Sequence, residues 1–296
     1  MGVDRVTALR QRVPAPLQRW GRQAYVESGR LVPGLTRAQP HFLLIGGQRC
    51  GTTSLFRALM QHPRIVRPTF HKGVNYFDVN YHRGQGWYAA HFPPQRRAAV
   101  RTAPAEPVAF EASGYYMFHP WAAERIAADL PDIKLVALLR DPVERAYSAW
   151  KHEQARGFES ASFEDALEWE DERVRPELDR MRREPGYYSD IHRHQAYRGR
   201  GEYLDQLTRY TALMSREQLH VMYSEDFFGD PVGEFAGLCA FLGIDPPQTL
   251  DARRYNARPS ASMPSAARAR LQQHFASRQG ALEAFVGRPA PWPAGE

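Results

Sequence analysis

Cysteine is scarce in this sequence: Cys50 and Cys239 are the two among 296 residues. Two cysteines cannot build a disulfide framework, and their separation is too long for a metal-binding pair. This scarcity excludes the small disulfide-stapled folds and favours a protein of the reducing cytoplasm. We therefore interpret Cys50 as a packing residue and not as a nucleophile.

Long apolar runs are missing as well. Residues 1–38 contain no continuous apolar segment of the kind found in signal peptides and membrane-spanning helices. Apolar side chains instead recur among arginines, which predicts a basic amphipathic helix interrupted near 14–16; they are Leu9, Val13, Leu17 and Trp20. We expect this extension to pack on the rest of the chain, with weak contact to an anionic membrane surface as the alternative.

The sequence also lacks a basic run interleaved with aromatic residues, the pattern of a nucleic-acid surface. The formal net charge is +6 and the pI is about 9.4, which by itself invites a nucleic-acid partner. Without that pattern, the arginine excess favours anionic small molecules over nucleic acid. Hydrophobic content is 43%, no internal repeat or long linker is evident, and we assign 39–288 to one domain and 289–296 to a tail.

The most informative stretch that is present is HFLLIGGQRCGTTSL, residues 41–55. Apolar residues 42–45 predict a buried strand, a glycine turn follows, and 51–54 open an apolar-periodic helix. This geometry leaves free backbone N–H groups at one point, where they attract an anion such as a phosphate. A glycine turn that merely joins a strand to a helix is the simpler alternative.

This stretch departs from a nucleoside-triphosphate loop at one position. Gly46 and Gly51 have the spacing of a Walker A loop, but Thr52 stands where the lysine belongs. A kinase or ATPase needs that lysine on the β- and γ-phosphates. The positive charge here is Arg49, before Gly51, which favours a ligand with one terminal phosphate-like group.

A second anion motif follows the clearest predicted strand, residues 134–139. Arg140 ends this strand, and Asp141 caps a helix that has proline in its first turn. Ser148 lies two helical turns after the cap, on the same face of the helix. Arg140 and Ser148 can therefore converge on one anion, whereas pairing of Arg140 with a local carboxylate is the alternative.

Further strands are predicted at 107–110 and 219–223, and helices separate the strands. This alternation predicts an α/β fold: a doubly wound, mostly parallel sheet flanked by helices on both faces. Ligands bind beyond the carboxyl ends of such strands. Glu111 comes directly after 107–110, so we expect its carboxylate at the same edge as the first loop and Arg140.

These motifs resemble those of the sulfotransferases that use 3′-phosphoadenosine 5′-phosphosulfate (PAPS). The string RCGTTSL, residues 49–55, resembles their 5′-phosphosulfate loop, and LLRDPVERAYSAW, residues 138–150, resembles their 3′-phosphate motif. The resemblance covers residues 40–285. It implies a P-loop-like fold and sulfuryl transfer from PAPS to a hydroxyl or amine of a carbohydrate, lipid or secondary metabolite. The implied product is adenosine 3′,5′-bisphosphate, and no metal is implied.

The resemblance also assigns the nucleotide contacts. Arg140 and Ser148 would hold the 3′-phosphate. A late basic loop over the nucleotide corresponds to 253–258, where Arg258 is the candidate. The 5′-phosphosulfate would lie on the loop residues Arg49, Cys50, Gly51, Thr52, Thr53 and Ser54.

A third motif departs from the family pattern. The string KGVNYFD, which begins at Lys72, resembles K-E-x-H-F-F-D of the heparan-sulfate-type sulfotransferases, in which the acid is the base and the lysine supports the transferring group. Gly73 replaces the acid and Asn75 the histidine. We predict that Lys72 and Arg49 stabilise the transferring sulfuryl group and that Glu111 takes the acceptor proton.

Two long segments, 64–95 and 158–202, lie where this family places its acceptor loops, and we expect 158–202 to form a lid or insertion. The acceptor and the oligomeric state stay open. The missing anchor and the arginine, alanine and proline bias predict a cytoplasmic, bacterial enzyme. Two alternatives also stay open: a P-loop kinase-like phosphotransferase, and a non-enzymatic protein that binds anions or nucleic acid.

Overall fold

A parallel sheet of five strands forms the centre of the computed structural model, which describes residues 15–30, 36–251 and 262–293. In chain order the strands are β1 (Pro40–Gly46), β2 (Ile65–Val66), β3 (Val108–Ala112), β4 (Lys134–Leu139) and β5 (Leu219–Tyr223). Their order across the sheet is β2–β3–β1–β4–β5, and every neighbouring pair is parallel.

Helices connect these strands and enclose the sheet. They are α1 (Ala15–Arg30), α2 (Thr52–Leu59), α3 (Gln85–Ala89), α4 (Gln95–Thr102), α5 (Ala122–Asp129), α6 (Pro142–Gln154), α7 (Phe163–Glu168), α8 (Glu170–Arg183), α9 (Asp190–His194), α10 (Tyr203–Thr211), α11 (Ser224–Gly229), α12 (Pro231–Leu242) and α13 (Ser265–Val286). Short 3₁₀ turns lie at Tyr81–Arg83, Gly199–Gly201 and Arg216–Gln218.

Both faces of the sheet are covered. Successive residues of a strand point to opposite faces, and every residue of β3 is buried, as are all residues of β4 after Lys134. The predicted α/β fold class, a mostly parallel sheet between helices, is therefore confirmed. The sequence did not reveal β2, because two residues are too few to show a periodic pattern.

The first strand lies where the chain changes direction across the sheet. After β1 the chain forms β2 and β3 on one side, and then β4 and β5 on the other. Leu43 of β1 is level with Glu111 of β3 and with Leu135 of β4. Open α/β sheets bind ligands beyond the carboxyl ends of their strands at such a switch point. The loop after Gly46 therefore lies at the binding edge.

The segment predicted as a lid or insertion, 158–202, shares a core with the body of the domain. Phe163 and Leu167 of α7 are buried in a second hydrophobic cluster that also contains Val143 of α6 and Leu271 of α13. This packing ties the segment to the helix that carries the second anion motif. Its predicted part in acceptor binding stays a prediction.

Helix α1 is the described part of the predicted N-terminal extension. Its Val26 is buried, and its Tyr25 ring meets the Phe70 ring edge-on at 5.1 Å between centroids. Leu17 and Trp20 are 58% and 70% exposed. The other two predicted apolar positions lie outside the described residues, and among the described helices none is long and apolar enough to cross a membrane.

Candidate functional site

The loop after β1, which we call the glycine loop (residues 46–54), is held against β4. The amide of Gly47 donates to the carbonyl oxygen of Leu138 at 2.7 Å. Cys50 is fully buried, with its sulfur 3.7 Å from the hydroxyl of Tyr203. Burial raises the pKa of this thiol to about 11, so at neutral pH it is protonated. This environment agrees with our interpretation of Cys50 as a packing residue.

Gly51 begins helix α2 in a conformation that favours glycine. Its φ is +84°, and an added Cβ would lie 3.1 Å from the ring of Phe228 and 3.2 Å from the hydroxyl of Ser224. No described side chain caps α2, and its first turn holds no acidic residue. The amides of Thr52 and Thr53, in that first turn, have no acceptor within the helix. They can therefore bind an anion, as we predicted for this loop.

Arg49 joins the glycine loop to the second anion motif. Its backbone is left-handed at φ +66°, and its Nε donates to the hydroxyl of Ser148 at 3.1 Å. Nη1 of Arg140 donates to the carbonyl oxygen of Arg49 at 3.4 Å. The structure thus brings together Arg49, Arg140 and Ser148, which the sequence placed in two motifs about a hundred residues apart. Strained backbone at a binding loop is a common feature of functional sites.

The start of α6 fixes where Ser148 points. The Asp141 carboxylate accepts from the amides of Val143 at 2.8 Å and Glu144 at 3.4 Å, and Pro142 occupies the first helical position. The predicted cap is therefore confirmed. The amide of Asp141 itself donates to a carboxylate oxygen of Glu225 at 3.1 Å. The helix that carries Ser148 is thus anchored at its first residue.

Lys72 approaches the glycine loop from a different element. Its Nζ donates to the hydroxyl of Thr52 at 3.1 Å and lies 5.8 Å from the centre of the Phe56 ring. No carboxylate of the described residues pairs with it, and burial lowers its pKa to about 8. A buried ammonium without a carboxylate is suited to an anionic ligand, which would restore its usual pKa.

Glu111 is placed differently from the prediction. It lies within β3 and has no exposed surface, whereas we expected it just after the strand. Its carboxylate accepts from the amide of Val74 at 2.6 Å and from the hydroxyls of Ser113 at 3.0 Å and Tyr116 at 2.5 Å. Burial raises its pKa to about 7 in spite of these bonds. The predicted end of the strand before Glu111 is therefore wrong, because the strand continues through Glu111 to Ala112 and the Glu111 side chain is buried.

Gly73 explains why the family acid is missing. An added Cβ at this position would lie 2.5 Å from the carbonyl oxygen of Ala112 and 2.6 Å from the hydroxyl of Ser113. The backbone at Gly73 thus passes too close to the end of β3 for any side chain. Tyr76 and Phe77, which follow in the same motif, are buried in the main core.

Sequence reasoning missed two polar side chains beside the glycine loop. Nε2 of Gln48 donates to the buried carboxylate of Glu153 at 2.8 Å, which links the loop to the end of α6. Lys151 lies on α6 near Arg140 and Arg49; burial lowers its pKa, and these two guanidinium groups lower it further. Lys151 follows Ser148 by three residues, on the same helix face, so this spacing was the available signal.

The structure leaves one predicted contact undescribed, because Arg258 lies outside the described residues. Among residues 15–30, 36–251 and 262–293, no group of three or more His, Cys, Asp or Glu side chains could hold a metal ion. What the described site offers is positive charge from Arg49, Lys72 and Arg140, together with the amides at the start of α2. This set fits a ligand that carries two separate phosphate-like groups.

Comparisons with known proteins point the same way. The family model described as "Sulfotransferase domain" matches residues 39–261. Curated relatives include the bifunctional heparan sulfate N-deacetylase/N-sulfotransferase 4 of Mus musculus, 28% identical over 70% of this chain and 22% of its own length. The corresponding Drosophila melanogaster protein is 30% identical over 70% of this chain and 20% of its own length. The chain thus spans about a fifth of these curated relatives.

The chain matches one solved structure over a larger share of that structure's own length. The crystal structure of a sulfotransferase from Alicyclobacillus acidocaldarius superposes with a TM-score of 0.65 and 30% sequence identity. The match covers 86% of this chain and 98% of that one. It therefore extends to nearly the whole of that protein.

Proposed function

Because the chain belongs to the sulfotransferase domain family, we propose that it transfers the sulfuryl group of PAPS to an acceptor and releases adenosine 3′,5′-bisphosphate. The observation that carries this proposal is the hydrogen bond from Arg49 to Ser148 at 3.1 Å. It joins the glycine loop to the helix of the second anion motif, so one nucleotide with phosphates at both ends can contact both motifs. PAPS supplies the activated sulfuryl group when it is bound.

The nucleotide would be held by the two motifs at its two ends. The amides at the start of α2 and the side chain of Arg49 would hold the 5′-phosphosulfate, and Arg140 and Ser148 would hold the 3′-phosphate. Arg258 is proposed to cover the nucleotide from the late basic loop. The helix N-terminus and the guanidinium groups favour negative charge at both positions.

Lys72 and Arg49 would neutralise the charge that develops during transfer. Transfer of such a group passes through a loose transition state, so the protein mainly positions the reactants and stabilises charge. Lys72 already lies at the first residue of α2, with its Nζ 3.1 Å from Thr52. Its ammonium is thus next to the amides that would bind the 5′ end of the nucleotide.

The acceptor is proposed to be a hydroxyl or amine of a carbohydrate, a lipid or a secondary metabolite. The curated relatives, bifunctional heparan sulfate N-deacetylase/N-sulfotransferases, support the carbohydrate among these. The acceptor must lose a proton during transfer. Glu111, which we predicted as the base, has no exposed surface.

Calorimetric titration without magnesium tests the nucleotide class. We expect adenosine 3′,5′-bisphosphate to bind more tightly than ADP. Arg140→Ala should lower the affinity for the bisphosphate by about tenfold to a hundredfold, because it removes a hydrogen bond between charged groups. Arg180→Ala is the matched control, since Arg180 pairs with Glu184 on the exposed surface of α8. Tighter binding of ADP, or binding only with magnesium, would support the kinase alternative. Binding of neither nucleotide would support a non-enzymatic role.

A further inference from the structure

We propose that Glu111 is a positioning residue that fixes residues 72–77, the lysine segment, on the end of β3 and so holds Lys72 at the glycine loop. The inference rests on the proposed function, because it concerns the lysine that would stabilise the transferred group. It replaces the role of base that the sequence suggested for Glu111.

The first half of the lysine segment is bound by three consecutive residues, the last two of β3 and the residue that follows it. The amide of Ala112 donates to the carbonyl oxygen of Lys72 at 3.0 Å. The Glu111 carboxylate accepts from the amide of Val74 at 2.6 Å, and the hydroxyl of Ser113 accepts from the amide of Asn75 at 3.0 Å. Ser113 in turn donates to Glu111 at 3.0 Å.

The second half is bound by Tyr116. Its hydroxyl accepts from the amides of Tyr76 at 2.8 Å and Phe77 at 3.4 Å, and donates to the Glu111 carboxylate at 2.5 Å. Four consecutive amides of the lysine segment, at 74–77, therefore end on three side chains. Glu111 is the one that connects the other two, because it accepts from both hydroxyls.

The lysine segment needs such an anchor because it has no strand partner to bind its amides. Buried backbone N–H groups must be satisfied by some acceptor, and here side chains take the place of a β-ladder. Asn75 is also left-handed at φ +54°, and Gly73 packs directly on Ala112. The backbone path is thus defined by long-range contacts and not by regular secondary structure.

The anchor has a function because Lys72 is held in an unfavourable place. Burial lowers its pKa to about 8, which shows that the charged ammonium would be better hydrated outside. A flexible lysine segment would let the side chain turn toward water. Glu111 itself, with no exposed surface and both carboxylate oxygens occupied by hydrogen bonds, is placed to hold the segment and not to reach an acceptor.

A double-mutant cycle on the affinity for adenosine 3′,5′-bisphosphate tests this role without knowledge of the acceptor. Glu111→Leu removes both acceptor oxygens, and Glu111→Gln keeps one oxygen for Val74. We expect Glu111→Leu and Lys72→Met each to weaken binding about tenfold. Glu111→Leu should cause no further loss of affinity in the Lys72→Met background. Glu111→Gln should stay within about threefold of the wild type.

Proton uptake on binding is the second readout. At pH 8, titrations in buffers of different ionisation enthalpy should show that the wild type takes up protons as the bisphosphate binds, because the ligand restores the charge of Lys72. Glu111→Leu should lose this uptake, as Lys72→Met does. A base for the acceptor would affect neither affinity nor uptake, so wild-type values for Glu111→Leu would overturn the proposal. An equal loss in both Lys72 backgrounds would overturn it too.

Two milder variants keep the test decisive if Glu111→Leu does not fold. Tyr116→Phe removes the acceptor for Tyr76 and one donor to Glu111, so it should lower affinity and uptake together. Tyr210→Phe is its control: the Tyr210 hydroxyl donates to the carbonyl oxygen of Tyr116 at 2.7 Å and does not contact the lysine segment. Equal effects of the two variants would contradict the proposal. No binding by the wild type at all would instead contradict the proposed function.

Discussion

The glycine loop and the lysine segment meet at one residue, Thr52, but they are built in opposite ways. The glycine loop depends on backbone geometry at a strand end and a helix start, and the amides of Thr52 and Thr53 are left for a ligand. The lysine segment has its amides satisfied by side chains about forty residues away in the chain, and it offers a side chain. A single site thus combines a local part built from backbone with a part that only tertiary packing positions.

The largest expected effect is on the lysine segment, from Gly73→Glu, which restores the acid of the family pattern. The new Cβ would lie 2.5 Å from the carbonyl oxygen of Ala112. We expect a loss of stability of about 3 kcal/mol, since overpacking against backbone forces the segment off β3. Thermal unfolding measures this loss. Gly186→Glu is the control, because an added Cβ there meets nothing within 4 Å.

The outcome of Gly73→Glu separates two views of the missing acid. If the variant keeps wild-type stability, the segment can move, and Gly73 would be an ordinary substitution. If it is destabilised and binds adenosine 3′,5′-bisphosphate more weakly, the backbone path itself excludes the acid.

The second effect is on the glycine loop, from Gly51→Ala. The left-handed φ of +84° disfavours any side chain, and the methyl group would press on Phe228 and Ser224. We expect binding of the bisphosphate to weaken by about 2 kcal/mol, or thirtyfold, because the displaced amides at the start of α2 lose a hydrogen bond to a charged ligand. Titration calorimetry measures it.

Gly243→Ala is the matched control for Gly51→Ala. Gly243 is also left-handed, at φ +75°, but it ends α12 in open space. Both variants should lose stability from backbone strain, and Gly51→Ala should lose more because its methyl group also presses on Phe228 and Ser224. A loss of affinity in both would show that the effect is global and not a property of the glycine loop.

The third effect concerns Lys72 and stability. Burial holds its folded pKa at about 8, below the 10.5 of a free lysine, so the folded state binds its proton less tightly than the unfolded state. The buried ammonium therefore lowers the free energy of unfolding. This destabilisation is complete below pH 8, shrinks as the pH rises from 8 toward 10.5, and is absent above pH 10.5. We expect Lys72→Met to stabilise the ligand-free protein by about 2 kcal/mol at pH 7, with this gain disappearing near pH 10.5.

Chemical denaturation at pH 7 and pH 10 tests this sign. Lys134→Met, which removes the same charge from the start of β4, should destabilise instead, because it loses the bond to the Phe241 carbonyl at 2.6 Å. If Lys72→Met destabilised at pH 7, the ammonium would be well accommodated, and the argument for anchoring it would weaken.

The sequence predicted the local parts of the site and missed the parts that depend on long-range contacts. The strand, the glycine turn, the helix starts and the Asp141 cap are local, so their signals lie within a few residues. Glu111 was misplaced because an acid in a strand looks like the strand's end, and its burial is tolerable because the amide of Val74 and the hydroxyls of Ser113 and Tyr116 donate to it. The Gln48–Glu153 pair was missed because nothing local marks a partner a hundred residues away.

The smallest expected effect comes from the hydrogen bond that links the two proposed phosphate positions. Ser148→Ala removes the acceptor for Nε of Arg49, so we expect a loss of about 1 kcal/mol, or fivefold, in affinity for adenosine 3′,5′-bisphosphate. Ser277→Ala is the control, since Ser277 is an exposed serine on α13 that bonds to the His274 carbonyl. Titration with adenosine 5′-phosphate, which lacks the 3′-phosphate, distinguishes the two phosphate positions. A smaller loss with that ligand assigns Ser148 to the 3′-phosphate, whereas an equal loss with both means that Ser148 acts by orienting Arg49 toward the 5′ end.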